Sequence, residues 1–533
     1  MDLEFQLSRT HLPVAGIYRH AHEMPDRPAL VAGDTVISYG ELLHRVRAAA
    51  ARLAAAGVGR GDRVALVAGN AAEFAVVPYA ANLLGAIIVP VNFRLAAGEI
   101  AYILSNCEPA VVVTDAERAE VTRTALADAS GAEPAGASGA GSGSTEDGAS
   151  ATRDSAPVLL DLLEVAAPDP DGTLPAPDPV ICALEDDQAI MYTSGTTGRP
   201  KGAVLSYSNF LATTMRSSAS WQYVPGEDAV LVASPMFHIA AFNVMTTNIA
   251  NGATSVITPS TGFDAGHLLD VMAEHGVTRT FMVPAQWQLI VDEQRRSPRA
   301  VDLRFYSWGA APATEALLTA MGETFPQASS QAAFGQTETT ASGVSLSHED
   351  SLRKLGSVGL PDRNYAIRVV DAQMNDVAPG EVGEIVYRGP GVMSRFWNNE
   401  AATAEAFAGG WFHSGDLVRQ DEEGFLYVVD RVKDMIISGG ENIYCAELEN
   451  VIAWHPKVAE VAVVGRADEK WGEVPVAMIV PKSDDEAPTL EEIRDFCDGK
   501  LARYKLPKDV VVKDAFPRSG TGKIQKTVLR DEV

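Results

Sequence analysis

From residue 38 the chain alternates two kinds of apolar spacing. The stretch SYGELLHRVRAAAARLAAAG sets Leu42, Val46, Ala49 and Leu53 three and four residues apart, which is one face of an α-helix. Ser38 and Glu41 stand before it at capping-box spacing, and Gly57 supplies a stop. RVALVAG then reads as a strand, AEFAVVPYAANLLG as a helix, and AIIVPVN and AVVVTD as further buried strands. This rhythm predicts an α/β fold.

After residue 433 the pattern changes to AELENVIAWHP and LEEIRDFCDGKLARYKLP as helices, with VAEVAVVGRAD, VPVAMIVPK and DVVVKDAFP as strands. That is the span of one small domain. The expected organisation is a large N-terminal lobe of mixed sheets flanked by helices, residues 1–432, and a small α+β C-terminal domain, residues 433–533. Their boundary is expected within VVDRVKDMIISGG. Residues 128–157 are Gly, Ala and Ser rich without apolar periodicity, and are expected to form a surface insertion, since the α/β rhythm resumes on both sides, with an interdomain linker as the alternative.

Composition narrows the function. Of 533 residues 46% are hydrophobic and 21% charged, and the apolar runs stop short of a membrane-spanning length, so no stable membrane insertion is expected. The first residues lack a basic, apolar leader, which suggests a cytoplasmic protein. Cys107, Cys182, Cys445 and Cys497 are scattered, so neither disulfides nor a zinc site are indicated. A formal charge of −27 opposes binding to nucleic acid. These features together fit an enzyme acting on small molecules.

The segment MYTSGTTGRPKGAV, residues 191–204, concentrates glycines, hydroxyls and cations behind an apolar strand. Glycine lets backbone N–H groups approach an anion, hydroxyls donate, and lysine adds charge, so the loop suits phosphate. It matches neither the P-loop nor the dinucleotide pattern. Four further motifs follow in order: FGQTETT (334–340), GWFHSGDL (410–417), DRVKDMIISGGENIYCAELE (430–449) and PRSGTGKIQK (517–526). Together the five resemble the adenylate-forming superfamily of acyl-CoA synthetases, peptide-synthetase adenylation domains and beetle luciferases, over residues 12–527.

That resemblance implies two steps. A carboxylate attacks the α-phosphate of MgATP to give acyl-AMP and pyrophosphate; a thiol then displaces AMP and forms a thioester. The thiol is expected to be coenzyme A, with the phosphopantetheine of an acyl carrier protein as the alternative. Thr193, Ser194, Gly195, Thr196, Thr197, Gly198 and Lys201 would cradle the β- and γ-phosphates. Thr197 and Glu338 would hold Mg²⁺, and Thr337 would donate to the α-phosphate. Gly309, Ala310, Ala311, Phe334, Gly335 and Gln336 would belong to the nucleotide site, Phe334 stacking on adenine with the π-face of the family's usual tyrosine but without its hydroxyl.

Asp416 would hold the ribose hydroxyls, Arg431 would contact ribose or phosphate, and Lys523 would stabilise charge on the α-phosphorus. Thr337, Glu338, Lys201 and Lys523 form the implied catalytic set. Lys433 matches the family hinge, and Gly439 and Gly440 would leave room for pantetheine. The acid pocket would be lined by His238, Phe242, Asn243, Trp287, Trp308, Gly309, Ala310 and Gly335. It lacks the Asp that amino-acid-activating relatives use, so the expected acid is a medium- or long-chain fatty acid, with an aryl acid second. A luciferase-like oxygenase and a catalytically dead nucleotide sensor are the remaining readings.

Overall fold

A computed structural model of the chain describes residues 13–131, 156–175, 177–193, 199–439, 441–483, 487–518 and 524–533. The expected helix at 38 is Tyr39–Ala55, where Ser38 Oγ accepts from the Glu41 N–H at 3.2 Å. Leu42, Val46, Ala49 and Leu53 are all fully buried. The strands Arg63–Val67, Ile87–Pro90 and Val111–Thr114 are buried at every residue, which is why their sequences read as unbroken apolar runs instead of alternating ones.

Contacts divide the chain into two units. The first takes the residues up to 193 with Pro200–Ala366 and Arg388–Glu405; the second takes Ile367–Tyr387 and Ala406–Val533. Two large sheets build the first unit. One runs in space as Arg395–Phe396, Lys201–Ser206, Asp187–Thr193, Ile87–Pro90, Arg63–Val67, Val111–Thr114 and Val158–Asp161, parallel except at its first two pairings. The other has nine strands, parallel from Pro28–Ala32 through Thr254–Ile257, Ala229–Val232, Arg279–Met282 and Phe305–Gly309 to Ser329–Gly335, with antiparallel additions at both ends. Parallel strands end on one edge, and the loops leaving that edge carry the motifs of interest.

The second unit holds a four-stranded sheet, Ala366–Val370, Val382–Arg388, Phe412–Gln420 and Leu426–Arg431, and a five-stranded sheet. In the latter Gly472–Pro481 is central, with the long strand Val458–Asp468 antiparallel on one side and Asp509–Val512 joining it in parallel. Helices Cys445–Ile452 and Leu490–Cys497 supply Leu448, Ile452, Ile493 and Cys497 to its core. The expected longer helix from 490 stops at Cys497 because the chain turns at Gly499, whose φ is +73°.

The change of pattern at 433 falls inside the second unit. Asp430 Oδ2 accepts from the Ala446 N–H at 3.4 Å, and Arg530 Nη2 donates to the Lys433 carbonyl at 3.1 Å, so residues on both sides of 433 share contacts. Of the insertion expected at 128–157, the first residues belong to the helix Ala119–Gly131. Residues 132–155 lie outside the described set.

Candidate active site

Strand Asp187–Thr193 leads into the phosphate-loop motif and Lys201–Ser206 leads out of it, antiparallel, with Thr193 and Lys201 as register partners. Ser194, Gly195, Thr196, Thr197 and Gly198 lie outside the described residues. At the loop's base there is no space for a side chain at Gly202, where a Cβ would stand 2.7 Å from Ile190 Cγ2. Lys201 Nζ sits 5.2 Å from the centre of the Phe396 ring, which fixes the direction of its stem.

The second motif arrives from the neighbouring sheet. Strand Ser329–Gly335 ends in a 3₁₀ turn, Thr337–Thr339, and Thr193 Oγ1 lies 3.4 Å from Glu338 Oε1 and 3.4 Å from the Lys201 carbonyl. The Met393 N–H donates to the Glu338 carbonyl at 2.7 Å. Thr193 and Glu338, far apart in sequence, are thus brought together beside the Lys201 backbone. A lone carboxylate on a polar turn suits magnesium, which takes one or two carboxylates and fills its other positions with water and substrate phosphate. Among the described residues, no group of three or more His, Cys, Asp or Glu side chains forms a denser metal cage.

Gly309, Ala310 and Ala311 leave the neighbouring strand, whose Gly309 is paired with Ala333. A Cβ on Gly309 would meet the Ala333 carbonyl, and one on Gly335 would meet the backbone of Ser342, so both glycines are required by close packing of strands. Ala310 has φ +64° and is exposed, a strained backbone at the end of a parallel strand. Phe334 is half-buried two residues beyond Ala332, and Gln336 caps the Thr337 turn.

The expected acid-pocket residues separate. His238 is half-buried and caps helix Ile239–Ala250. Its turn is held by Asn70, whose Nδ2 donates to the carbonyls of Ser234 (2.9 Å) and Thr258 (3.1 Å) while Oδ1 accepts from the Met236 N–H (2.8 Å). Phe242 is buried against Phe210, and Asn243 is buried with no partner for Oδ1 among the described residues. Trp287 and Trp308 lie elsewhere, in an aromatic cluster with Tyr306 and Phe325; the Trp287 indole donates to the Ser307 carbonyl at 3.1 Å.

Strand period explains this. Tyr306 and Trp308 point to one face of the sheet, and Ser307 and Gly309 to the other. Facing the Gly309 side is Phe281, in register with Ser307, its ring 3.3 Å from where a Gly309 Cβ would stand. Val244 packs with Phe281 against the Trp221 and Phe305 cluster. Neither residue stood out in sequence. Counting two-residue alternation back from Gly309 and across the paired strand is the signal that finds Phe281.

In the second unit Asp416 and Arg431 are cross-strand partners, and Arg431 Nε lies 3.0 Å from Asp416 Oδ1. Asp416 is buried and Arg431 nearly half exposed. Burial, reinforced by Arg431 and Arg530, holds the Lys433 ammonium below its ordinary value against the pull of Asp434. Gly439 has φ +61° with Trp471 against it, a position no side chain could share. Gly440 and Lys523 lie outside the described residues.

Comparison with known proteins accounts for this set of parts. Residues 17–397 match the AMP-binding enzyme family and residues 447–523 its C-terminal domain. The chain is 36% identical over 531 residues to an indoleacetate–CoA ligase of Aromatoleum aromaticum, covering 97% of each. It is 38% identical over 507 residues to the long-chain-fatty-acid–CoA ligase FadD13 of Mycobacterium tuberculosis, covering 94% of this chain and 93% of that one. The o-succinylbenzoate CoA synthetase of Bacillus subtilis, solved with its acyl-adenylate intermediate, superposes with a TM-score of 0.82 at 30% identity, covering 97% of this chain and 98% of that one. The same synthetase has been solved with ATP and magnesium ion, TM-score 0.81 at 30% identity, covering 97% of this chain and 99% of that one. The chain therefore belongs to the AMP-binding enzyme family, the adenylate-forming superfamily, and is an enzyme of the acid–CoA ligase kind.

Proposed function

We propose that the protein activates an apolar carboxylic acid, a medium- or long-chain fatty acid, and transfers it to coenzyme A. The carboxylate oxygen bonds to the α-phosphorus of ATP as the bond to pyrophosphate breaks; the coenzyme A sulfur then bonds to the acyl carbon as AMP leaves. A free carboxylate is a poor electrophile, and the mixed anhydride supplies AMP as its leaving group. Thr193, Lys201 and the loop between them hold the departing pyrophosphate. Thr337 donates to the α-phosphate, and Lys523 neutralises charge building on phosphorus. Glu338 holds the magnesium that accompanies the nucleotide, which spreads the phosphate charge. Phe334 stacks on adenine, Asp416 and Arg431 hold ribose, and Lys433 is the hinge about which the C-terminal residues turn, bringing Gly439 and Gly440 into play for the thiol step.

The observation that carries the acid class is the face presented by Gly309. Phe281 makes it apolar, and the indole of Trp308 lies on the opposite face, against Tyr306. An extended alkyl chain suits such a lining, and the fatty-acid ligase relative supports it. The indoleacetate ligase relative, similar over the whole chain, favours an aryl acid as the second reading. The relatives named above are all coenzyme A ligases, which supports coenzyme A over a carrier-protein thiol.

MgATP-dependent pyrophosphate release, measured across saturated fatty acids and aryl acids with product masses recorded with and without coenzyme A, tests this. Acyl-CoA formed at highest kcat/KM from one range of chain lengths is expected. Turnover confined to aryl acids would replace the first reading by the second, and acyl-AMP that ignores coenzyme A would move the acceptor to a carrier protein.

A further inference from the structure

Immediately after Glu338 the backbone leaves its ordinary regions. Thr340 and Ala341 have φ of 53° and 56°, conformations that residues with a Cβ adopt at a cost and keep only where their surroundings over-determine them. Tyr365 supplies much of that surrounding. Its hydroxyl lies 2.8 Å from the Thr339 carbonyl and 3.0 Å from Ser342 Oγ. A phenol has one proton, and since it goes to the Thr339 carbonyl, Ser342 is the donor to the phenolic oxygen. Burial pushes the Tyr365 phenol up to about 12, the Ser342 hydrogen bond acting in the opposite sense, so the donor persists at any working pH.

The other side of the turn is fixed by the segment that follows residue 388. Thr340 is buried and its hydroxyl donates to the Gly391 carbonyl at 2.8 Å, and the Met393 N–H holds the Glu338 carbonyl. Asn209 Nδ2 donates to the carbonyls of Pro390 (2.7 Å) and Val392 (2.8 Å), pinning that segment to the helix after the phosphate loop. Gly391 is shaped to Tyr365: a Cβ there would collide with the Tyr365 hydroxyl. The aromatic side chain and the missing one form a fitted pair.

We infer that Tyr365 is a positioning residue for the nucleotide's metal: its hydroxyl, seated against Gly391, holds the Thr339–Ser342 turn so that the Glu338 carboxylate is already placed when the magnesium nucleotide arrives. This rests on the reading of Glu338 as the magnesium carboxylate. Tyr365 is buried and acts through the turn.

Four variants of the full chain test it: Tyr365→Phe, Gly391→Ala, their combination, and Glu338→Gln. Each is titrated with ATP by calorimetry, with and without Mg²⁺, beside thermal unfolding and steady-state rates. Tyr365→Phe keeps the ring but strands two buried polar groups, and is expected to cut the Mg²⁺-dependent gain in ATP affinity about tenfold, with acid KM moving less than about twofold. Gly391→Ala should give the same signature, and the combination should be at least as damaging as Tyr365→Phe alone, because the ring carbon that bears the hydroxyl would still stand 2.5 Å from the new methyl. A lower Tm with an unchanged Mg²⁺ response, or equal losses for MgATP and acid, would make the hydroxyl merely structural and overturn the proposal. If Glu338→Gln removes the Mg²⁺ response while Tyr365→Phe leaves it intact, the proposal alone fails. If Glu338→Gln also leaves it intact, the reading of Glu338 fails and the proposal with it.

Discussion

At the scale of single residues, the site is built from side chains whose chemistry is ordinary and whose placement is not. Glu338 is one carboxylate on a short turn, and it gains meaning from Thr193 at 3.4 Å and from a carbonyl held by Met393. Lys523 carries the sharpest residue-level expectation. Lys523→Ala should reduce acyl-adenylate formation by about a hundredfold or more, in line with the loss of one preorganised charge at a reacting centre, while acyl-CoA formation from supplied acyl-AMP stays close to normal. Separate assays of the two half-reactions decide this; equal loss in both would remove Lys523 from the role. Thr193, Glu338, Asp416 and Arg431 could be named from sequence because ordered motifs carry them, and the structure sets Thr193 3.4 Å from Glu338 and Arg431 3.0 Å from Asp416. The two indoles were not legible in this way, since a tryptophan at 308 could face either side, and the register of Ser307 with Phe281, whose ring stands 3.3 Å from a Gly309 Cβ, shows which.

Among elements, the helix at 38 and the buried strands were legible because their apolar spacing has one physical solution: Leu42, Val46, Ala49 and Leu53 can share a face only on a helix. The order of strands in the sheets was not, since Pro28–Ala32 pairs with Thr254–Ile257, an association that no local pattern encodes. Asn70 belongs to this scale. It leaves the end of Arg63–Val67 and meets the loop before His238 and the end of Thr254–Ile257, using both amide donors and its acceptor to join the two sheets. Asn70→Asp is nearly isosteric and loses both donors, so it should raise the acid KM about tenfold while leaving the KM for ATP unchanged, a size that follows from stranded carbonyls and a new charge. Kinetics with each substrate varied in turn would show it, and a rise confined to ATP would contradict the placement of the acid near His238.

For the whole molecule, the division into units was only partly legible. Composition changes near 433, but Arg530 and Asp430 tie residues on both sides of that point together, and contacts of this kind are invisible to a reading of local pattern. If Lys433 is the hinge, restricting it should separate the half-reactions. Lys433→Pro, which fixes one backbone dihedral, is expected to leave pyrophosphate release nearly intact and slow thioester formation, so that acyl-AMP accumulates in the presence of coenzyme A. Rapid-quench analysis of both products checks this, and parallel slowing of the two would count against a hinge there.

The short pairing of Arg395–Phe396 with Lys201–Ser206 reaches beyond catalysis. Ala203, Val204 and Leu205 are fully buried, and the strand they occupy would be the rim of its sheet without that partner. Arg395 clasps Asp187 through Nη1 and Nη2, and the Trp397 N–H donates to the Gly202 carbonyl, so the cover is fastened at both ends. An uncovered apolar rim invites pairing with another chain. A lesion that loosens this cover would therefore show itself first as insoluble protein, in the yield of an expression culture, before any assay of turnover could be made.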